Sequence, residues 1–103
     1  MSIVRSKEFT APKPWGALQI ACMNGVTTRL HWTDKPYKWH VNEGEEVFVV
    51  LQGVVRMHYR KAQREYVETL GPGDIFFAEA GCEHFAEPDG EARILVVEHE
   101  GSV

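Results

Sequence analysis

The chain has 103 residues, 44% of them apolar and 25% charged, the balance of one soluble globular domain rather than a disordered segment. Eleven Lys and Arg against fifteen Asp and Glu leave a formal net charge of −4, which argues against a nucleic-acid footprint. The longest apolar run, Val47–Leu51, falls far short of the ~20 residues of a membrane span, so no membrane partner is expected.

The N-terminal residues Met1 to Glu8 show no apolar targeting segment, and a cytoplasmic location is the expectation. Residues 1–16 form an arm, made irregular by Pro12, Pro14 and Gly16. Leu18–Met23 reads as a strand ended by Asn24-Gly25, a strong hairpin dipeptide. Val26–Thr33 is rich in β-branched residues and stops at Asp34-Lys35-Pro36. Tyr37–Asn42 follows, then the polar loop Glu43-Gly44-Glu45 and the apolar strand Val47–Leu51. Gly53 bends the chain into Val54–Tyr59, where Val55, Met57 and Tyr59 share one face and Arg56 and His58 the other. Tyr66–Leu70 leads to the turn Gly71-Pro72-Gly73-Asp74, and Ile75–Ala78 follows it. A turn at Ala80-Gly81 precedes His84–Glu87, and Asp89-Gly90 introduces Arg93–Glu98. No window keeps a helical period without a breaker. Eight or nine short strands separated by turns predict an all-β sandwich or barrel in one domain.

Five histidines and twelve glutamates offer many possible ligands, so spacing has to select among them. His40 and Asn42 stand two apart on a strand and leave it on the same face. Glu46 begins the next strand across the Glu43-Gly44-Glu45 loop, where a hairpin brings it opposite that pair. His84 opens a strand after Ala80-Gly81. In a closed barrel such inward positions converge on one interior point.

The segment His40-x-Asn42-x3-Glu46-x6-Gly53 resembles the first motif of the cupin superfamily, usually His-x-His, three or four residues, Glu, six residues, Gly. The segment Gly73-Asp74-x4-Glu79-x-Gly81-x2-His84 resembles the second, usually Gly, five residues, Pro-x-Gly, two residues, His, three residues, Asn. The motifs, near 34–53 and 73–88, stand in the family's order on a strand-rich chain of fitting length. The resemblance implies a single cupin domain over residues 1–103, folded as a double-stranded β-helix, or jelly-roll barrel. It also implies metal-ligand positions at His40, Asn42, Glu46 and His84. This chain departs from the pattern at Asp34 for a glycine, Asn42 for the second histidine, Glu79 for the proline and Pro88 for the final asparagine.

An Asn carbonyl oxygen is a hard, neutral, weak ligand, whereas His40, Glu46 and His84 make the two-His-one-carboxylate set of non-haem iron sites. The leading expectation is a divalent ion, Mn, Fe, Ni or Zn, in a barrel that binds or transforms a small polar molecule. The alternative is a metal-free binding or sensing module using the same groups, and a bare scaffold is the third reading. Phe48 and Val50 share parity with Glu46 and are expected in the same pocket, joined by Met57 and Tyr59, with core packing as the competing role. Glu79 is a weak catalytic candidate, a second carboxylate if it leans toward the barrel mouth. Val26, Thr28, Leu30 and Trp32 share a face, so His31 is expected opposite, toward solvent or between strands; His58 is expected outside as well. Trp15, Trp32 and Trp39 read as rim, core or interface residues. Cys22 and Cys82 read as free thiols. A homodimer is expected, with residues 3–9 pairing along a sheet edge of a second copy.

Overall fold

A computed structural model describes residues 1–102 and forms nine strands. They are β1 (Gly16–Met23), β2 (Val26–Thr33), β3 (His40–Val41), β4 (Glu46–Gln52), β5 (Val55–Lys61), β6 (Arg64–Leu70), β7 (Ile75–Ala78), β8 (Glu83–Pro88) and β9 (Ala92–His99). All pairings are antiparallel, in a five-stranded sheet β1-β2-β9-β4-β7 and a four-stranded sheet β3-β8-β5-β6. The class is all-β, a jelly-roll barrel. No helix among the described residues is long and apolar enough to cross a membrane.

Local chemistry explains the connections. Asn24 and Gly25 both take positive φ, 53° and 78°, as the tight β1–β2 hairpin requires. The segment Tyr37–Asn42 is extended but forms only the two-residue β3. Its alignment with β8 continues through main-chain bonds from Tyr37 N to Ala86 O and from Asn42 N to Cys82 O.

The arm departs from expectation. Residues 3–9 are not an extended edge strand, because Ser6–Glu8 winds into a 3-10 turn. Glu8 and Phe9 donate their amides back to the Arg5 and Ser6 carbonyls, so those groups are not presented to a sheet edge. Arg93 Nε donates to the Phe9 carbonyl at 2.8 Å and ties the arm to its own barrel.

Inward side chains follow from the register. Phe48, Val50, Val55, Met57, Leu70, Ala86, Ala92, Ile94 and Val96 form the core, each fully buried side chain of this kind contributing about 1.5–3 kcal/mol for the larger ones. Along β4 the inner residues run Glu46, Phe48, Val50; along β9, Glu98, Val96, Ile94; along β8, His84, Ala86, Pro88. Every one of these strands is polar at the same end of the barrel and apolar toward the other. That gradient places the site.

β2 corrects the expectation for His31. Its register sets His31 opposite Ile94 and Thr33 opposite Ala92, so Thr27, Arg29, His31 and Thr33 face inward. The alternation of Leu30 and its neighbours marks the outer side. There Leu30 pairs across Leu18 and Leu95 and is itself buried, so apolar character on β2 does not distinguish inside from outside.

Candidate metal centre

His40, Glu46 and His84 come together at the polar end, with one ligand atom from each all within 4.8 Å of one another. β3 and β8 pair His40 directly with His84, and their rings lie 4.3 Å apart between centroids. Glu46 arrives from the other sheet, its Oε1 3.1 Å from His84 Nε2. Both histidines are oriented by main-chain carbonyls: His40 Nδ1–H donates to Lys38 O at 3.0 Å, and His84 Nδ1 lies 3.4 Å from Cys82 O. Backbone acceptors on Nδ1 leave Nε2 for the centre, the arrangement that orients metal-binding imidazoles. Burial lowers the His40 pKa, partly opposed by the Lys38 hydrogen bond, and so favours the neutral ring that ligation needs.

Asn42 supplies the test of fit. It is 2% exposed, and among the described residues neither its Oδ1 nor its Nδ2 has a hydrogen-bond partner. An unpartnered buried amide costs about 1–3 kcal/mol, so an apolar residue would be the cheaper filling of that place. Its backbone holds it firmly, through Asn42 N to Cys82 O and Gly81 N to Asn42 O. Glu46 and His84 are likewise buried, at 7% and 2% exposure, and Asn42 follows His40 by two positions on the segment aligned with β8. The converging donors, two imidazole nitrogens and a carboxylate, fit a divalent cation.

A cavity of about 140 Å³ opens onto the cluster, lined by His40, Glu46 and His84 themselves and by Trp15, His31, Tyr37, Phe48, Val96 and Glu98. Trp15, Tyr37 and His40 make successive edge-to-face contacts at 5.4 and 5.0 Å, an aromatic wall leading to the cluster. Glu98 is opposite Glu46 in the β4–β9 register, and its carboxyl is pushed up to about 7 by burial, with the Glu46 charge adding to it. The unfolded chain gives up that proton near 4.5, so the folded state loses stability as pH rises from there through 7. In chelator-stripped protein, Glu98→Gln should therefore melt higher than wild type at pH 8 and alike at pH 4.5. The half-exposed carboxylate is screened by water, which limits the gain to about 1 kcal/mol, or about 4–8 °C. Thermal melts across this range check it; a gap that stays constant with pH refutes it.

The remaining sequence candidates are placed as follows. Phe48 lines the cavity, while Val50 and Met57 lie fully buried in the core and do not reach it. Tyr59 packs against the core and stacks on Tyr66, lining a separate groove with Phe76 and Cys82. Glu79 is exposed in that groove and stands outside both the cluster and its cavity; its turn turns the side chain to solvent. Burial, then the charges of Glu46 and Glu79, raises the Cys82 thiol, which is therefore no ready nucleophile. His58 is on the outer face, stacked on Phe85 and bonded to Glu87. Sequence reasoning passed over Tyr37 and Glu98 as site residues. Glu98 was within reach, since it shares parity with Ile94 and Val96 on β9.

A search of curated proteins found no matching relative. Among solved structures, the chain is similar to a cupin-2 domain containing protein from Shewanella frigidimarina, at 25% identity and a TM-score of 0.77, covering 87% of this chain and 85% of that one. It is similar to a protein from Thermus thermophilus at 24% identity and a TM-score of 0.77, covering 96% and 97%. It also shares its fold with a hydroquinone 1,2-dioxygenase solved with Cd2+ and 4-hydroxybenzonitrile, at 15% identity and a TM-score of 0.74, covering 93% of this chain and 69% of that one. The family model for the cupin domain matches residues 27–98, which hold both motifs, His40, Asn42, Glu46 and His84, strands β3 to β8 whole, and β2 and β9 but for one end residue each. The chain belongs to the cupin domain family.

Proposed function

We propose that this cupin binds a divalent metal through His40, Glu46 and His84, with the Asn42 amide as a further donor, and uses it to bind or transform a small polar molecule in the adjoining cavity. The observation that carries the reading is the convergence of His40, Glu46 and His84, joined by a buried Asn42 amide two positions from His40 that has no hydrogen-bond partner among the described residues. Mn, Fe, Ni and Zn all accept the histidine and carboxylate donors, and the amide oxygen shifts preference toward the harder ions. Such an ion, when bound, supplies Lewis acidity and a template for orienting the small molecule.

The chain's own residues do the rest. The Lys38 and Cys82 carbonyls fix the two imidazoles, Glu46 brings the negative charge, and Phe48, Val96 and the Trp15–Tyr37 wall shield the centre from bulk water. Elemental analysis of wild type beside Asn42→His tests the reading. Wild type is expected to carry roughly stoichiometric metal, and the histidine variant to hold it more tightly. Wild type that stays metal-free while Asn42→His gains metal would instead mark a metal-free binding module.

The expected homodimer remains part of the proposal. Edge strand β7 exposes Ile75 and Phe77 at 63% and 51%, the apolar, uncharged edge that a second copy would cover. Light scattering of the purified protein reads the outcome directly, a monomer counting against it.

A further inference from the structure

His31 belongs to neither motif, yet it lines the cavity beside the cluster. Its Nδ1 lies 3.1 Å from the Trp15 carbonyl oxygen. A carbonyl only accepts, so Nδ1 carries the hydrogen. In the neutral ring Nε2 is then a lone-pair acceptor, and among the described residues it makes no hydrogen bond. Burial lowers the His31 pKa, ahead of the Trp15 bond that raises it, and this keeps the ring neutral near pH 7. The charged and titratable groups that share its cavity or act on it are Arg29 on its own strand, Glu46 on β4, Glu98 on β9, His40 on β3, His84 on β8 and the Tyr37 hydroxyl.

Trp15 is itself set for this task. Its φ is 62°, in the left-handed region, a costly conformation for a bulky residue. The indole Nε1–H donates to Lys35 O at 2.9 Å, and Gly16 N donates to Lys13 O, so the strained carbonyl is held in place from both sides. His31 lines the same cavity as the converging groups but is not one of them.

We propose that His31 Nε2 is the hydrogen-bond acceptor that recognises the small molecule, and that this molecule is about the size of one six-membered ring and carries an O–H or N–H donor. The size follows from the cavity: about 140 Å³, against about 150 Å³ for an apolar cavity known to hold benzene. The ring follows from the walls, where Trp15, Tyr37 and Phe48 present aromatic surface. The inference rests on the small-molecule reading of the cavity and names its ligand class, but it does not depend on which metal, or whether any, is bound.

Phenol and benzene serve as probes, measured by calorimetry on wild type, His31→Gln and His31→Asn, with metal content determined for each sample. Gln places an amide where Nε2 lies and can turn its oxygen to the cavity; Asn reaches only as far as Nδ1. Wild type and His31→Gln should prefer phenol to benzene by roughly fivefold, the worth of one neutral hydrogen bond, and His31→Asn should lose that preference. Metal content should be the same in all three. Nitrogen-15 NMR of wild type should show the proton on His31 Nδ1. The proposal is overturned if wild type binds neither probe, if it binds both alike, if His31→Asn keeps the preference, or if the proton resides on Nε2. Metal-free protein that still discriminates phenol through His31 would sink the metal reading and leave this one standing.

Discussion

Glu46→Gln is expected to weaken divalent-metal binding by at least about 100-fold while leaving the metal-free fold intact. Loss of a partner that only orients a ligand costs 10–100-fold, and Glu46 is argued to be a ligand itself. The substitution is isosteric, so the shape of the barrel is preserved around a side chain only 7% exposed. The Gln amide can still meet His84 Nε2, which lies 3.1 Å from Oε1 in the native chain. Removing the Glu46 charge also relieves Glu98, whose carboxyl that charge helps to push up to about 7. Calorimetric titration with Mn2+ and Zn2+, set beside the melting temperature of chelator-stripped protein, separates lost ligation from lost structure. Unchanged affinity in a normally folded variant would remove Glu46 from the centre and with it the proposed function.

Gly53→Ala should destabilise the protein by about 3 kcal/mol, lowering Tm by about 12–24 °C, whereas Gly73→Ala should cost only about 1 kcal/mol. Both glycines hold motif positions and both have positive φ, 93° and 88°, so each pays a backbone penalty on gaining a side chain. Their surroundings differ. A Cβ at Gly53 would lie 2.5 Å from the Glu91 carbonyl oxygen and 3.0 Å from the Ala92 Cα, main-chain atoms at the start of a core strand that cannot step aside. Nothing comes within 4 Å of a Cβ built at Gly73. Differential scanning calorimetry of the two variants checks the ranking; equal losses would mean that backbone strain alone governs both positions.

The strands were legible because turn chemistry announces most of their ends. Asn24-Gly25, Gly71-Pro72-Gly73-Asp74 and Asp89-Gly90 all fall at strand ends. The turn at Ala62-Gln63 was not, since both residues take positive φ, 52° and 64°, without the Gly or Asn that usually signals it. At the site, strand and loop spacing singled out His40, Asn42, Glu46 and His84 before the family resemblance named them as ligand positions, and the structure brings His40, Glu46 and His84 together. His31 was misplaced because the alternation on β2 points the wrong way: the more apolar set, Val26, Thr28, Leu30 and Trp32, lies on the outer face, where Leu30 is nonetheless buried. Val50 and Met57 went the other way: their inward parity was right, but depth along the strand decides between cavity wall and core, and parity carries no depth. Tyr37 reaches the cavity from a segment with almost no strand of its own, held by its amide bond to Ala86 O.

Two of the three converging ligands stand on the four-stranded sheet and the third on the five-stranded sheet. Whatever joins them is therefore a clasp between two leaves, closed at the end where hydrophobic packing gives out. The strand bearing His40 is also the shortest of the nine among the described residues, only two residues long. Occupation of the centre should thus be felt well beyond it, as slower amide exchange along Tyr37–Asn42 with little change at the apolar end. On that reading the polar mouth would do more than hold a ligand: it would convert occupancy into local stiffness.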